Sequence, residues 1–282
     1  MNAKEAREQT KLWRQPRLEG VELLHATYVK QTFSRHMHEG FAIGVIEQGA
    51  LKFSYRGENL VAPVGHINLA SPGEVHDGYA ATDGGWTYRM FYLDSGVLQQ
   101  ITSQMSGRPE TIPFFPMGVI WHEELARLIR SLHMALEQQN TPTLEQESRL
   151  LWMLGQFVVR FADEHVSICA VGREDQAVNR VREYIEAFYP EDISIEQLSH
   201  VANLSPFHLI RVFRNHVGLP PHAYLIQVRV ARAKGLLLRG QSISSVTFKT
   251  GFTDQSHFTR QFKRITGVTP SKYSKIIQDS TS

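Results

Sequence analysis

Three histidines are spaced so that they could bind a ligand. His36 and His38 form a His-x-His pair within RHMHEG, and His76 ends the segment SPGEVH. Neutral imidazole donates or accepts a hydrogen bond and also ligates transition metals. The three side chains therefore fit a polar small molecule, a metal ion with structural or oxygenase chemistry, or an ordinary surface or core role. Binding of a small molecule without a metal or other cofactor is the favoured interpretation.

Two helices near the C-terminus combine an apolar face with a basic one. In the first helix, helical geometry groups Phe207, Ile210, Arg211 and Arg214 on one exposed face. In the second helix, it groups Ser256, His257, Arg260 and Arg264 on one exposed face. Arginine bonds a guanine edge bidentately in the major groove of DNA, whereas a plain helical bundle would leave the same arginines in solvent. The joining helix, Pro221 to Leu238, spans about 27 Å, so with its turns the two faces lie about one turn of DNA apart. This spacing favours DNA binding.

The elements that position the histidines are predicted to be short strands. The stretch from Val21 to Leu93 contains VELLHATYV, FAIGVIE, ALKFSY, GHINLA and WTYRMFYL, separated by turn-forming residues. Such spacing is typical of a small antiparallel barrel or sandwich. If one strand continues through Gly40, then Gly40, Ala42 and Gly44 share a face with His36 and His38 and leave room for a ligand. Trp86 and Tyr88 are candidate stacking walls, with Arg89 on the opposite face.

Two antiparallel helices follow Pro116, in WHEELARLIRSLHMALEQQ and LEQESRLLWMLGQFVVRFADEH. Their apolar stripe comprises Leu125, Leu128, Ile129, Leu132 and Leu136. The stripe either packs on its own barrel or forms a dimer interface around a two-fold axis.

The C-terminal segment is predicted to form seven helices. A pattern of a short helix, a tight turn and a second helix occurs twice. The predicted N-caps are Ser194, Ser205 and Asp254, and the helices are predicted to stop at Gly218 and Gly267. The list of predicted helices is Ala177 to Phe188, Ile195 to Val201, Pro206 to Val217, Pro221 to Leu238, Ser242 to Thr250, Gln255 to Thr266 and Pro270 to Ile277.

The stretch from Ile195 to Tyr273 resembles the DNA-binding domain of the AraC/XylS transcription regulators. The strongest match is GFTDQSHFTRQFKRITGVTPSKY, and LSHVANLSPFHLIRVFRNHVGLPPHAYL matches more weakly, with Ser199 at a usual alanine position and Gly235 weakening the long helix. The resemblance implies two helix-turn-helix motifs joined by a long helix. The residues it implies for base reading are Phe207, Ile210, Arg211, Gln255, Ser256 and Arg260, where Ile210 would contact a thymine methyl group.

The N-terminal region is similar to that family's cupin-like sensor domain. The segments containing His36, His38 and His76 resemble the two short cupin motifs. Metal-binding cupins carry a glutamate shortly after His-x-His, whereas this chain has Ala42 and Ile43 there. The resemblance thus implies an α+β protein, with a cupin-like β-barrel and two helices followed by an all-α domain with two helix-turn-helix motifs.

Composition and charge limit the class of protein. The chain has 282 residues, 42% hydrophobic and 21% charged, which indicates globular domains. Ala177 to Gln278 holds 14 basic and 6 acidic residues, net +8, and the remainder holds 16 and 22, net −6. A basic segment of this kind favours a polyanion partner. One cysteine, Cys169, predicts a reducing compartment, and the charged first 20 residues predict no export signal.

These observations predict a transcription regulator that is controlled by a small-molecule effector. Residues 1–166 are the expected effector-binding and dimerisation domain, 167–174 a linker and 175–282 the DNA-binding domain. The expected DNA-contacting residues are Phe207, Ile210, Arg211, Arg214, Gln255, Ser256, His257 and Arg260, and the expected effector ligands are His36, His38, His76, Trp86 and Tyr88. Promoter DNA, a second copy of the chain and RNA polymerase are expected partners in the cytoplasm, with no membrane and no catalysis. The alternatives are a cupin enzyme with an incidental basic tail and a ligand-independent regulator.

Overall fold

The computed structural model describes residues 8–138, 141–163 and 174–281, with side chains to residue 275. Over these residues the chain divides into two compact units. The first comprises 8–137 and 150–163, and the second comprises 138, 141–149 and 174–281. The predicted linker, 167–174, lies outside the described residues except for Glu174.

Antiparallel strands form the body of the first unit. Their main sheet runs in the order β1-β2-β8-β4-β6-β9, with β5 and β7 also paired to β4 and β3 paired to β7. The strands are β1 (Gln9–Arg14), β2 (Val21–Tyr28), β3 (Phe33–His36), β4 (Phe41–Tyr55), β5 (Glu58–Pro63), β6 (Ile67–Ala70), β7 (His76–Ala80), β8 (Trp86–Leu93) and β9 (Val119–Ile120). This confirms the predicted cupin-like fold, and β1 is a strand that the charged N-terminal sequence did not indicate.

The centre of this unit is the pair of strands β4 and β8. Ile43 lies opposite Phe91, both fully buried, and Trp86 lies opposite Gly49. Alternation along β8 sends Trp86, Tyr88 and Met90 to one face, where they join a buried cluster inside the barrel. Side chains on this inner face determine what the barrel can hold.

Three helices belong wholly or partly to this region of the chain: α1 (Ser95–Ser106), α2 (Glu123–Glu137) and α3 (Thr143–Phe161). The sequence predicted the last two, and α1 was missed. Leu125, Ile129, Leu132 and Leu136 of α2 are each at most 1% exposed and Leu128 is half-buried, so of the two alternatives the structure favours packing of the stripe on its own barrel. Among the described helices, none is long and apolar enough to cross a membrane.

Besides the start of α3, the second unit contains seven helices among its described residues, as the sequence predicted. They are α4 (Asp175–Phe188), α5 (Ile195–Ala202), α6 (Pro206–Val217), α7 (Pro221–Leu238), α8 (Ile243–Lys249), α9 (Gln255–Thr266) and α10 (Pro270–Thr281). The predicted capping box forms at α5, where Ser194 accepts from Gln197 N and Gln197 Oε1 accepts from Ser194 N. Local capping chemistry therefore sets several of these boundaries.

Arg229 of α7 connects the two halves of the helical unit. Its guanidinium donates to the backbone oxygens of Tyr189 (2.7 Å) and Glu191 (2.8 Å) after α4, and it lies 5.9 Å from the Phe252 ring before α9. Burial lowers the pKa of Arg229 to about 10, which leaves it charged at neutral pH. A buried cation is tolerated here because carbonyl oxygens satisfy it.

Candidate functional sites

Strand pairing brings the three predicted histidines together. His36 ends β3 and lies directly opposite His76 at the start of β7, while His38 lies in the turn before β4. Ring centroids are 4.4 Å apart for His36 and His76, 4.9 Å for His36 and His38, and 5.0 Å for His38 and His76. The structure thus forms one imidazole cluster from two sequence motifs 38 residues apart.

The cluster faces an open cavity of about 520 Å³ inside the barrel, counted out to its mouth. Trp86 and Tyr88, which the sequence proposed as walls, both line it, and Arg89 points to the opposite face as predicted. Further lining residues that the sequence analysis missed are Phe33, Phe53, Asn68, Asp77, Met90 and Tyr92. The cavity is therefore aromatic along its walls and polar at the histidines.

Two buried polar atoms in this lining have no hydrogen-bond partner among the described residues. They are Trp86 Nε1 and Asn68 Oδ1, on residues that are 1% and 8% exposed. One is a donor and the other an acceptor, and each loses hydration energy unless something in the cavity satisfies it. Asn68 is the single polar residue of the strand INLA, a signal that the sequence analysis did not use.

Burial sets the protonation states of the cavity. Burial lowers the pKa of His38 to about 4, helped by the neighbouring His76 and His36, and burial also lowers the pKa of His76. Burial raises the pKa of Tyr92 to about 12 and raises that of Tyr88 well above its usual value. At neutral pH His38 and His76 are therefore uncharged, and both phenols keep the proton that they can donate.

The small residues after the histidines have a different role from the predicted one. No strand continues from His36 through Gly40, because β3 ends at His36 and β4 begins at Phe41. A Cβ at Gly40 would meet Leu93 O at 2.1 Å, and one at Gly44 would meet the Met90 sulfur at 2.1 Å. These glycines allow close packing against β8, and only Ala42 of this series lines the cavity.

Arg89 is unavailable to a ligand in the cavity. It is 6% exposed on the outer face of the sheet, where its guanidinium lies 3.0 Å from Glu47 Oε2 and 2.6 Å from Glu137 Oε2. His133 Nδ1 lies 3.2 Å from the same guanidinium. This network joins β4 and β8 to α2, so the residue supports the fold.

The second helix-turn-helix comprises α8 and α9 and presents the expected polar face. Gln255, Ser256 and Arg260 are exposed, whereas Phe258 and Phe262 are fully buried. Asp254 Oδ1 accepts from His257 N at 2.7 Å and caps the helix. The arrangement directs a side-chain amide, a hydroxyl and a guanidinium away from the core, and such groups bond base edges or phosphates.

The first helix-turn-helix, α5 and α6, differs from the prediction. Phe207 and Ile210 are each 1% exposed, so the structure contradicts the prediction that they lie on an exposed face. Their apolar surface is removed from water, and the Arg211 guanidinium lies 6.0 Å from the Phe207 ring. Arg211 is half-buried and Arg214 is exposed, and these two residues remain on the polar side of α6.

His257 is also buried, at 5% exposure, contrary to its predicted place on the reading face. Its ring lies edge-on to Phe252 at 5.5 Å, and its Nε2 atom is 3.2 Å from Gln261 Nε2. Burial lowers the pKa of His257, so the ring is neutral at pH 7. The ring therefore packs against Phe252 instead of projecting outward.

A barrel with a polar-lined cavity, in one chain with two helix-turn-helix motifs, defines the class of ligand-binding transcription regulators. Comparisons agree: residues 19–154 match the model of the AraC-like ligand binding domain, and residues 198–276 match that of a helix-turn-helix domain. The chain belongs to the AraC family and is a DNA-binding transcription regulator with a ligand-binding domain.

Two curated relatives match about four fifths of the chain, and a solved structure matches about a third of it. An uncharacterized HTH-type transcriptional regulator of Bacillus subtilis, YbfI, is 27% identical over 81% of this chain and 82% of its own. The HTH-type transcriptional activator RhaS of an Enterobacter species is 24% identical over 82% of this chain and 84% of its own. A crystal structure of a probable AraC family regulator from Rhodopseudomonas palustris is 30% identical over 36% of this chain and 97% of its own, with a TM-score of 0.35.

Proposed function

We propose that a small molecule bound in the barrel controls sequence-specific binding of this protein to promoter DNA. One observation carries the proposal: the cavity buries an unpartnered donor, Trp86 Nε1, and an unpartnered acceptor, Asn68 Oδ1, beside three clustered histidines. A ligand that accepts from the first and donates to the second recovers two lost hydrogen bonds. The aromatic walls add apolar contact on both sides of such a ligand.

For the DNA side, we assign base and phosphate contacts to the polar side chains that the two motifs leave outside the core. These are Arg211 and Arg214 of α6, with Gln255, Ser256 and Arg260 of α9. The segment that contains them carries a net charge of +8, which attracts the phosphate backbone. Phe207, Ile210 and His257 are left out because they are buried.

Family membership supports three further parts of the proposal. The protein acts as a homodimer, contacts RNA polymerase as an activator, and works in the cytoplasm without catalysing a reaction. Because the α2 leucines are core, the dimer contact uses a surface other than the predicted stripe. Light scattering on the full chain tests the dimer directly, with a mass near 64 kDa expected from the 32.1 kDa protomer.

A ligand screen on the full chain tests the central proposal. Sugars, amino acids and aromatic acids are screened for a rise in melting temperature and for altered affinity for promoter DNA. A ligand at a hundredfold excess over its Kd stabilises the folded state by about 2.7 kcal/mol. Trp86→Phe should reduce the response at least severalfold, because phenylalanine keeps the aromatic wall and removes the donor.

The matched control is Trp121→Phe, since Trp121 is 64% exposed and lies outside the cavity lining. If a ligand raises the melting temperatures of Trp86→Phe and Trp121→Phe equally, that ligand binds outside the barrel. A ligand that raises the melting temperature without changing DNA affinity would contradict control of DNA binding.

A further inference from the structure

The imidazole cluster brings together three side chains that could hold a metal ion. One ring nitrogen from each of His36, His38 and His76 lies within 4.8 Å of the other two, and they are the one such His/Cys/Asp/Glu group that the described residues contain. Tetrahedral zinc with ligand bonds of about 2.0–2.1 Å needs nitrogens roughly 3.3 Å apart. Binding of an ion therefore requires the three half-buried side chains to move closer together than they are in this structure.

Backbone contacts fix the tautomers of two of these rings. His36 Nδ1 lies 2.8 Å from Ser34 O, and His76 Nδ1 lies 2.9 Å from Glu74 O. A carbonyl oxygen only accepts, so each Nδ1 carries the hydrogen, and in the neutral ring Nε2 then has the free lone pair. Metal-ligating histidines typically have this arrangement, in which the distal N–H donates to a carbonyl or carboxylate and orients the ring.

We propose that His36, His38 and His76 bind one divalent transition-metal ion, and that its remaining coordination positions accept an anionic oxygen of the effector. This inference rests on the proposed function, because it places the metal in the effector cavity. Three imidazoles leave at least one position of a four-coordinate ion for a ligand. The three histidines line the same cavity as Trp86 and Tyr88, so a ligand in the cavity would lie beside the ion.

The charges around the cluster support an anionic ligand. Neutral imidazoles leave the ion with its charge of +2, and positions 42 and 43, after the His-x-His pair, are alanine and isoleucine. Asp77, in the lining, already accepts from Ser54 N at 2.6 Å, and Glu74 pairs with Arg56 at 2.9 Å. These nearby carboxylates are engaged, so a carboxylate on the effector best neutralises the metal.

Titration of the metal-free full chain with Co²⁺ tests the metal site. We expect one equivalent to bind, with the visible absorption of cobalt in nitrogen coordination, and Zn²⁺ to displace it. His38→Ala and His76→Gln should each weaken binding by about tenfold or more, since each removes a ligand. The control is His200→Ala, whose side chain is 81% exposed on α5, and it should bind as the unmodified chain does.

Circular dichroism shows whether each variant is folded. If either His38→Ala or His76→Gln does not fold, the other variant still tests the site. Stoichiometric Co²⁺ binding that both variants retain would overturn the site, as would no binding beyond that of the triple variant lacking all three histidines. Sodium azide then probes the open position: a change in the cobalt spectrum is expected, with none from neutral acetamide. An unchanged spectrum with azide would overturn the open position.

The same samples separate this inference from the proposed function. If metal-free protein responds to an effector in melting temperature and DNA affinity, the metal inference fails and effector control stands. If the metal binds but no compound in the screen alters DNA affinity, the site stands and the proposed function fails.

Discussion

The two helix-turn-helix motifs share a framework and differ at the positions that face outward. Counted from the N-caps Ser205 and Asp254, the second residue is Phe207 in α6 and Ser256 in α9. Phe207 is 1% exposed, whereas Ser256 is exposed. The sixth residue is arginine in both helices, half-buried as Arg211 and exposed as Arg260.

This difference teaches that equal spacing from a cap does not give equal roles. An aromatic ring at the second position gains about 1.5–3 kcal/mol by leaving water, so it packs wherever neighbouring groups allow. A serine at the same position gains little by burial and stays available to solvent or DNA. We therefore expect α9 to supply most of the base contacts and α6 to combine phosphate contact with packing.

Truncation of the second residue should produce the largest contrast between the motifs. Phe207→Ala should reduce the free energy of unfolding by about 3–5 kcal/mol, because it removes a fully buried ring. Ser256→Ala, at the matching exposed position, should change it by no more than about 0.5 kcal/mol. Urea unfolding of the full chain, followed by circular dichroism, measures both. If Phe207→Ala leaves stability unchanged but abolishes specific DNA binding, the base-reading role returns.

The turn of the second motif depends on a glycine that the first motif lacks. Gly251 has φ +79°, and a Cβ there would meet Pro190 O at 2.5 Å. Gly251→Ala should therefore lower the free energy of unfolding by about 3 kcal/mol, from the left-handed backbone and the backbone clash together. The first motif turns at Asn203, φ +55°, which tolerates this conformation.

Gly235→Ala is the matched control for that substitution. It lies inside α7 with open space around its Cβ position, so alanine should raise stability by about 0.5–1 kcal/mol through helix propensity. The two Gly→Ala changes thus have opposite signs. The same sign for both would mean that the α8–α9 turn relaxes away from Pro190.

Capping and stop signals made the helical unit predictable from the sequence. The bounds of α6, α7 and α9 agree with the prediction because Pro206, Pro221 and Asp254 begin these helices through local chemistry. The burial of Phe207, Ile210 and His257 was not predictable in this way, since helical periodicity groups residues by face without showing what packs on that face.

The barrel shows the same division between local and long-range information. The motifs around His36, His38 and His76 predicted that these residues share one site. Strand pairing places them together in the structure. Tyr92 and Asn68 were missed because their place in the cavity depends on the register of β8 and β6 against β4. A shift of one residue would have turned both side chains to the opposite face.

Removal of the sixth-position arginine tests how each motif reads DNA. Arg260→Ala should weaken binding to a specific operator by about 1–3 kcal/mol and hardly affect binding to random DNA, as expected for a guanine contact. The loss of operator affinity caused by Arg211→Ala should fall in the same range if Arg211 also contacts a base. Fluorescence anisotropy at matched salt concentrations gives both affinities for each variant. Equal losses on operator and random DNA would show that the arginine contacts phosphate only.

The N-cap of α9 should give the smallest effect and a chemically specific one. Asp254→Ala removes the oxygen that accepts from His257 N, so the free energy of unfolding should fall by about 1 kcal/mol. Asp254→Asn keeps an acceptor oxygen and should retain most of that stability. Asparagine also removes a negative charge beside the reading face, so affinity for DNA should hold or rise at low salt. Urea unfolding and anisotropy separate the two contributions, and a loss of stability as large for asparagine as for alanine would show that the carboxylate charge, rather than the cap, stabilises α9.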